Sequence, residues 1–320
     1  MSMKIIITGC AGFIGMHLCK KLLDKNYVIG IDNINSYYDI NLKKDRLKIL
    51  KKYKKFKFFK LDITDFKKLN EVFSKINPTI VIHLASEVGV RNSSKRPRSY
   101  INTNINGFLN ILEACKGKNI KKLFYASSSS VYGKNNKKKF VETLNTDKPL
   151  SIYAATKKSA EVLAATYSHL YNLTTIGLRF FTVYGPYGRP DMAIYGFTES
   201  IYKNKKINIY GQGNLERDFT YIDDVIFYIN KILRRKFFKN EILNIGNTEP
   251  IKVLKIINLL EQNIGKKAKI SFSKMPKTEV YKTKADISKL KKIGSIKKRT
   301  SIKKGILHFV NWYKVYKKIN

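Results

Sequence analysis

Hydrophobic and polar positions change period in a regular order along the first 185 residues. Residues 4–8 form a short apolar run of the kind that fills a buried parallel strand. Phe13, Ile14, Leu18, Leu22 and Leu23 follow at helical spacing, and a second apolar run, 27–31, ends in Asp32. The alternation continues with a strand over 56–61, a helix over 65–75, a strand over 79–84 and a long helix over 100–116. A fifth strand, 121–126, runs into Ser127, Ser128, Ser129 and Ser130, and a helix over 151–170 and a strand over 174–180 follow. Strands alternating with helices predict an α/β fold with a doubly wound parallel sheet, whose ligands bind beyond the carboxyl ends of the strands. Past residue 185 the pattern loosens at turn signals such as Gly185-Pro186 and Arg189-Pro190. Helices are expected there near 193–203, 225–233, 252–262 and 302–316. Residues 1–185 are therefore assigned to a nucleotide-binding domain to which later segments return. Residues 186–320 are assigned mainly to a smaller C-terminal substrate lobe.

Gly9, Gly12 and Gly15 stand between the first strand and the first helix, in the spacing G-x-x-G-x-x-G. Gly9 permits a tight turn, Gly12 lets the backbone approach a pyrophosphate, and Gly15 allows close helix packing. The helix N-terminus offers free N–H groups and a positive dipole end to phosphates. Asp32 ends the second strand about 23 residues after Gly9, near the distance expected for an acid bound to an adenosine ribose. A carboxylate there accepts hydrogen bonds from both ribose hydroxyls and repels a 2′-phosphate. The Rossmann-type site is therefore expected to hold NAD rather than NADP, although Lys43, Lys44 and Arg46 downstream leave a small opening for NADP.

Tyr153 and Lys157 lie one turn apart on the helix expected over 151–170 and share a face. An ammonium beside a phenol favours the phenolate. A free tyrosine has a pKa of ~10, so a base working at neutral pH needs a shift of roughly 3 units. Lys157 and a positively charged nicotinamide together would supply it. Taken alone, the pair is also what an amphipathic helix surface looks like; the dinucleotide site upstream makes it a candidate catalytic pair.

Composition adds one unusual property, a formal net charge of +40 from 63 basic and 23 acidic residues. A nucleic-acid or anionic-membrane surface is one reading. The lysines are spread over 43–60, 134–139, 203–206 and 289–304 and are not gathered with aromatics in one element, so nucleic acid is not the expected partner. The three cysteines (Cys10, Cys19, Cys115) and four histidines (His17, His83, His169, His308) show no metal spacing, and no metal is expected. No apolar stretch approaches the ~18 residues of a membrane span. The first apolar run is too short for a signal peptide. A cytoplasmic location is expected.

The eight residues 8–15, T-G-C-A-G-F-I-G, the serine run before Val131-Tyr132-Gly133, and Tyr153-x-x-x-Lys157 together resemble the extended short-chain dehydrogenase/reductase superfamily, specifically its NAD-dependent epimerase/dehydratase family. The likeness covers nearly the whole chain and is weakest after about residue 250. Within the superfamily, the loop D-N-I-N-S-Y-Y-D at 32–39 and the block L-R-F-F-T-V-Y-G-P-Y-G-R-P-D-M-A at 178–193 resemble the UDP-glucuronate 4-epimerases. R-D-F-T-Y-I-D-D at 217–224 is shared more widely among nucleotide-sugar enzymes.

The resemblance implies a UDP-sugar substrate and a retained NAD, with transient oxidation at C4 and return of hydride to the other face. Tyr153 would be the base, Ser128 would hydrogen-bond the reacting oxygen, and Lys157 would also hold the nicotinamide ribose. Gly9, Gly12, Phe13, Ile14, Gly15, Asp32, Asp62, Ile63, Leu84 and Ala85 would contact the cofactor. Arg217 would pair with the UDP diphosphate. Related 4,6-dehydratases carry an Asp-Glu pair after the catalytic Thr, whereas Ser129 and Ser130 are neutral hydroxyls here. They suit a sugar carboxylate, together with Thr182 and, by resemblance, Arg189. Glu87 stands where the family usually has Gln, and Arg91, assigned to the substrate site, is a candidate partner for it. The expected substrate is UDP-glucuronate, giving UDP-galacturonate, as for a capsule or lipopolysaccharide. UDP-N-acetylglucosamine or UDP-glucose is the alternative, and a non-catalytic NAD-binding regulator a remote one. A homodimer through the helices near 100–116 and 151–170 is a further expectation of the family.

Overall fold

The structure is a computed structural model, and it describes residues 2–135, 137–237, 239–293 and 299–319; Lys297 and Lys298 of the last lysine cluster lie outside the described residues. Its strands, in chain order, are β1 (Lys4–Thr8), β2 (Tyr27–Asp32), β3 (Phe56–Lys60), β4 (Ile80–His83), β5 (Lys122–Ser128) and β6 (Thr175–Phe180). Then come β7 (Thr182–Tyr184), β8 (Lys206–Tyr210), β9 (Glu216–Tyr221), β10 (Asn240–Ile245), β11 (Pro250–Lys252) and β12 (Lys269–Ser273). Seven of them form one parallel sheet in the order β10-β6-β5-β4-β1-β2-β3. The order reverses between β1 and β4, and a crevice opens beyond the strand ends at such a point. Gly9, Asp32, Leu84 and Ser128 lie at those ends.

The apolar runs are strands because both faces of the sheet are covered. Ile5 and Ile7 pack into one core with Met16 and Leu18, and Ile6 packs into a second core with Val81, Phe108 and Leu112. Capping side chains set the helix starts. Asp65 accepts from the Lys68 N–H at 3.2 Å ahead of the helix Phe66–Ile76, and Ser151 accepts from the Ala154 N–H at 3.1 Å ahead of the helix Ile152–Tyr171.

Two elements differ from expectation. The long helix begins at Pro97 and is not uniformly α, because Asn102–Asn106 forms a π turn before the helix resumes as Gly107–Cys115. The helix Ile40–Lys51 was not anticipated: it buries Lys43 and Arg46 beside Leu42, Leu47 and Leu50, which breaks the apolar stripe. After β7 the chain builds a three-stranded sheet, β11-β9-β7, and a parallel pair, β12-β8. It also returns to the main sheet with β10 and lays the helix Ile222–Ile232 against the helix Phe13–Leu22. Among the described residues, ion pairs are few beside the 63 basic side chains of the sequence, and most lie at the surface. None of the described helices is long and apolar enough to cross a membrane.

Candidate active site

A solvent-open cavity with about 2040 Å³ of empty space lies over the carboxyl ends of the strands.

One wall is the glycine turn. The backbone closes on itself so tightly that a Cβ on Gly15 would lie 2.0 Å from the Gly9 carbonyl oxygen, and one on Gly12 would lie 2.9 Å from it. Gly9, at φ +74°, abuts the Leu84–Ala85 peptide. The helix Phe13–Leu22 starts there without a side-chain cap, so its first N–H groups remain for an anion. Asp32 is buried at the end of β2 and accepts from the Ala11 N–H at 3.0 Å and the Ile34 N–H at 2.9 Å. Burial raises its pKa, against those hydrogen bonds and the charge of Lys43. Asp62 is held by Asn33 at 2.7 Å and by the Thr64 hydroxyl at 2.8 Å. Phe13, Ile14, Ile63, Leu84 and Ala85 line the same wall.

The cations that left a small opening for a 2′-phosphate are engaged elsewhere or exposed. Lys43 is bound to the Asn35 carbonyl at 2.8 Å and side chain at 2.6 Å, Arg46 is buried among carbonyls, and Lys44 points to solvent.

The second wall holds the candidate chemistry. Ser151 caps the helix on which Tyr153 is the second residue, which aims the phenol into the cavity. The Ser128 side chain favours the ionised form of the phenol. Lys157 lies one turn on, buried, with Nζ 5.8 Å from the Tyr153 ring centre and donating to the Ala126 carbonyl at 2.9 Å. Burial lowers the Lys157 pKa to about 7. Tyr153 stands above its ordinary range, because burial outweighs the Ser128 hydrogen bond and the Arg189 charge. The expected drop in the phenol pKa is therefore not made by this pair alone, whose ammonium is spent on a carbonyl.

The serine run is bonded to itself. Ser128 Oγ accepts from the Ser130 N–H at 3.1 Å and from its hydroxyl at 2.9 Å. Beneath it, Ser127 donates to Glu161 at 2.6 Å, and Arg179 grips both oxygens of Glu161 at 2.8 Å. Ser129, Ser130, Thr182 and Arg189 line the cavity. Arg189 is itself gripped by Asp191, at 3.0 and 2.5 Å. Arg217 also lines it, paired with Glu279 at 2.7 Å.

Two assignments around Glu87 change. Arg91 does not line the cavity; it is 3.6 Å from Glu279, lies over the Tyr210 ring, and its side chain is half exposed. The cation near Glu87 is Arg96, at 3.8 Å, and Ser99 donates to Glu87 at 3.3 Å. The reason is the π turn. Asn104 accepts from the Glu87 N–H at 2.8 Å and donates to the Glu87 carbonyl and the Thr156 hydroxyl, both at 3.0 Å. This turns the Glu87 side chain toward the helix Pro97–Ile101.

Sequence reasoning missed Asn104, Glu161, Arg179 and Glu279. Arg179, a charge inside an otherwise apolar strand run, was the one visible signal. Among the described residues, no group of three His, Cys, Asp or Glu side chains is placed to hold a metal.

The model of the NAD dependent epimerase/dehydratase family matches residues 5–246. The chain is 45% identical over 334 residues to Protein CapI of Staphylococcus aureus, covering 99% of this chain and 100% of that protein. It is 47% identical over 311 residues to the UDP-glucuronate 4-epimerase of Thermodesulfobacterium geofontis, covering 97% and 95%. The crystal structure of UDP-glucuronic acid 4-epimerase from Bacillus cereus, in complex with UDP-glucuronic acid and NAD, superposes with a TM-score of 0.93 at 37% identity over 98% of this chain and 100% of that one. The chain belongs to the NAD-dependent epimerase/dehydratase family.

Proposed function

We propose that this family member is an NAD-dependent UDP-sugar 4-epimerase that interconverts UDP-glucuronate and UDP-galacturonate. The observation that carries the proposal is the surface around Tyr153: four hydroxyls, Ser128, Ser129, Ser130 and Thr182, and the guanidinium of Arg189. Related proteins named for this activity support it.

The glycine turn fits a dinucleotide, since no Cβ can enter it and its helix end is uncapped. Gly9, Gly12, Phe13, Ile14 and Gly15 would hold the pyrophosphate. Asp32 would hold the adenosine ribose, Asp62 and Ile63 the adenine edge, and Leu84, Ala85 and Lys157 the nicotinamide half. NAD, when bound, supplies a reversible hydride acceptor. Tyr153 takes the proton of the sugar 4-hydroxyl and later returns it, and Ser128 holds the same oxygen. Arg217 holds the diphosphate. Ser129, Ser130, Thr182 and Arg189 bind the sugar carboxylate. Oxidation at C4 makes the sugar a β-keto acid, which loses CO2 easily, so the carboxylate must be fixed where its C–C bond overlaps poorly with the ketone.

Glu87 favours a second substrate. It lines the cavity, and a carboxylate repels a sugar carboxylate, which would suit UDP-N-acetylglucosamine or UDP-glucose. One of its oxygens, Oε1, is tied to Arg96 and Ser99. We further place the protein in the cytoplasm as a homodimer. Ile101 and Leu109 on one helical stretch and Val162 and Tyr171 on the other leave apolar side chains exposed, and sedimentation would test their pairing.

The deciding experiment incubates purified protein with UDP-glucuronate, without added NAD, and follows the sugars by NMR. UDP-galacturonate without net NADH is expected. Turnover of UDP-N-acetylglucosamine instead would give the second reading. No turnover of any of the three sugars, even with added NAD, would remove the catalytic one.

A further inference from the structure

The loop that presents Arg189 is fastened to the cofactor-binding half of the molecule. Arg46, on the helix Ile40–Lys51, is 0% exposed. Its Nη2 donates to the Tyr187 carbonyl at 2.6 Å and the Gly188 carbonyl at 3.2 Å, and its Nε donates to the Tyr187 carbonyl at 3.2 Å. Its Nη1 donates to the Ala11 carbonyl at 3.0 Å and the Tyr38 hydroxyl at 2.5 Å. A guanidinium has five N–H donors, and here all five are used. A buried cation is costly unless its donors are satisfied, so so complete a set of partners marks a site built around the charge. None of these acceptors is a carboxylate.

One further contact joins the same two regions. His17, on the helix Phe13–Leu22, meets the Pro186 carbonyl through Nε2 at 2.9 Å. Burial lowers the His17 pKa to about 4, so the ring is neutral at pH 7 and Nε2–H is the donor. The three carbonyls immediately before Arg189, those of Pro186, Tyr187 and Gly188, are thus all held from outside their own lobe. Tyr187 has φ +58°, a left-handed conformation that costs a non-glycine residue about 1–2 kcal/mol. Its ring packs against Trp312, and its carbonyl takes two donors from Arg46. Through Ala11, the same guanidinium touches the glycine turn, whose Ala11 N–H is bound by Asp32.

We propose that Arg46, with His17, is a positioning residue that fixes where Arg189 stands in the sugar pocket relative to the cofactor turn. Resting on the substrate reading above, the consequence concerns the fate of the oxidised sugar. With Arg189 in place, the carboxylate is held and CO2 is retained. With Arg189 displaced, the carboxylate turns until its C–C bond overlaps the C4 ketone. That bond then breaks, its electron pair moves to the ketone oxygen as an enolate, CO2 leaves, and a proton adds at C5. The product is a UDP-4-keto-pentose. Its oxidation is the C4 oxidation of the epimerisation itself, so no other oxidant is required, and the reduced cofactor accumulates if the ketone departs.

The test compares wild type with Arg46→Lys and His17→Gln on UDP-glucuronate. Both products are followed by NMR, under conditions where circular dichroism shows folded protein. A lysine offers three donors where five are used. The expected result is a pentose-to-galacturonate ratio raised about tenfold in Arg46→Lys, since a misplacement of ~1 Å at a reacting group changes rates by more than that. A smaller rise is expected in His17→Gln. A merely structural residue would lower both products together, and an unchanged ratio at reduced turnover would overturn the proposal. If Arg46→Lys fails to fold, the ratio in His17→Gln decides by the same criterion. Wild type inert toward UDP-glucuronate would remove the substrate reading and this inference with it; wild type active with unchanged variant ratios removes this inference alone.

Discussion

The two walls of the cavity are made in opposite ways. The wall proposed for the cofactor comes largely from one continuous stretch, β1 through Asp32, and works mainly through backbone: a glycine turn and an uncapped helix end, with the Asp32 carboxylate beside them. The wall proposed for the sugar is collected from segments as far apart as Ser128, Thr182, Arg217 and Glu279, and works through side chains. Backbone sites depend on the absence of atoms, so a methyl group destroys them. Side-chain sites depend on donors held by a second set of residues, so they fail by degrees.

Breaking the sugar wall at its centre should have the largest effect. Tyr153→Phe removes the only atom proposed to move a proton and should lower kcat by about 10²–10⁴-fold. Bound NAD, measured in the supernatant after denaturation, should be unchanged. Cutting the support beneath that wall should show in stability instead. Glu161→Ala leaves Arg179 buried without its bidentate partner and should cost about 3–5 kcal/mol in denaturant unfolding. Arg217→Ala removes a charge-assisted contact to the proposed diphosphate and should raise KM for the UDP-sugar by roughly 10–100-fold, with a smaller change in kcat. It would sharpen the contrast if NAD content again stayed constant.

The smallest expected effect is a slope. Burial holds the folded-state pKa of His17 at about 4, below the ordinary 6.5. Between those values the unfolded chain binds the proton that the folded chain refuses, so stability falls as the pH drops from 6.5 toward 4. Above 6.5 the term vanishes. Thermal melts of wild type and His17→Gln should differ in pH dependence within that window and run parallel above it.

The same contrast explains what could be read from sequence. β1, β2 and the glycine spacing are local, and a strand buried on both faces shows itself as an unbroken apolar run, so the sheet and the glycine turn were visible. The helix Ile40–Lys51 was not, because its buried Lys43 and Arg46 look like surface residues until their partners, Asn35 and the distant Tyr187, are in view. The pairing of Arg91 with Glu87 failed for a related reason. Asn104, reaching across from a π turn, bonds both the N–H and the carbonyl of Glu87, and its carboxylate meets Arg96 and Ser99 instead. The long-range contacts in the sugar wall depend on loops whose hydrogen bonds span more than a hundred residues, and no periodicity encodes them.

The scarcity of ion pairs among the described residues has a consequence in solution. With 63 basic and 23 acidic residues, cations outnumber the anions that could pair with them, and the folded state concentrates their repulsion. Salt shortens its range to about 10 Å at 0.1 M. Raising sodium chloride from low to moderate concentration should therefore increase the melting temperature, the reverse of what a fold held by surface ion pairs would show. The same addition should slow capture of an anionic sugar nucleotide. For this molecule, ionic strength acts as a dial that trades speed of encounter against durability of the fold.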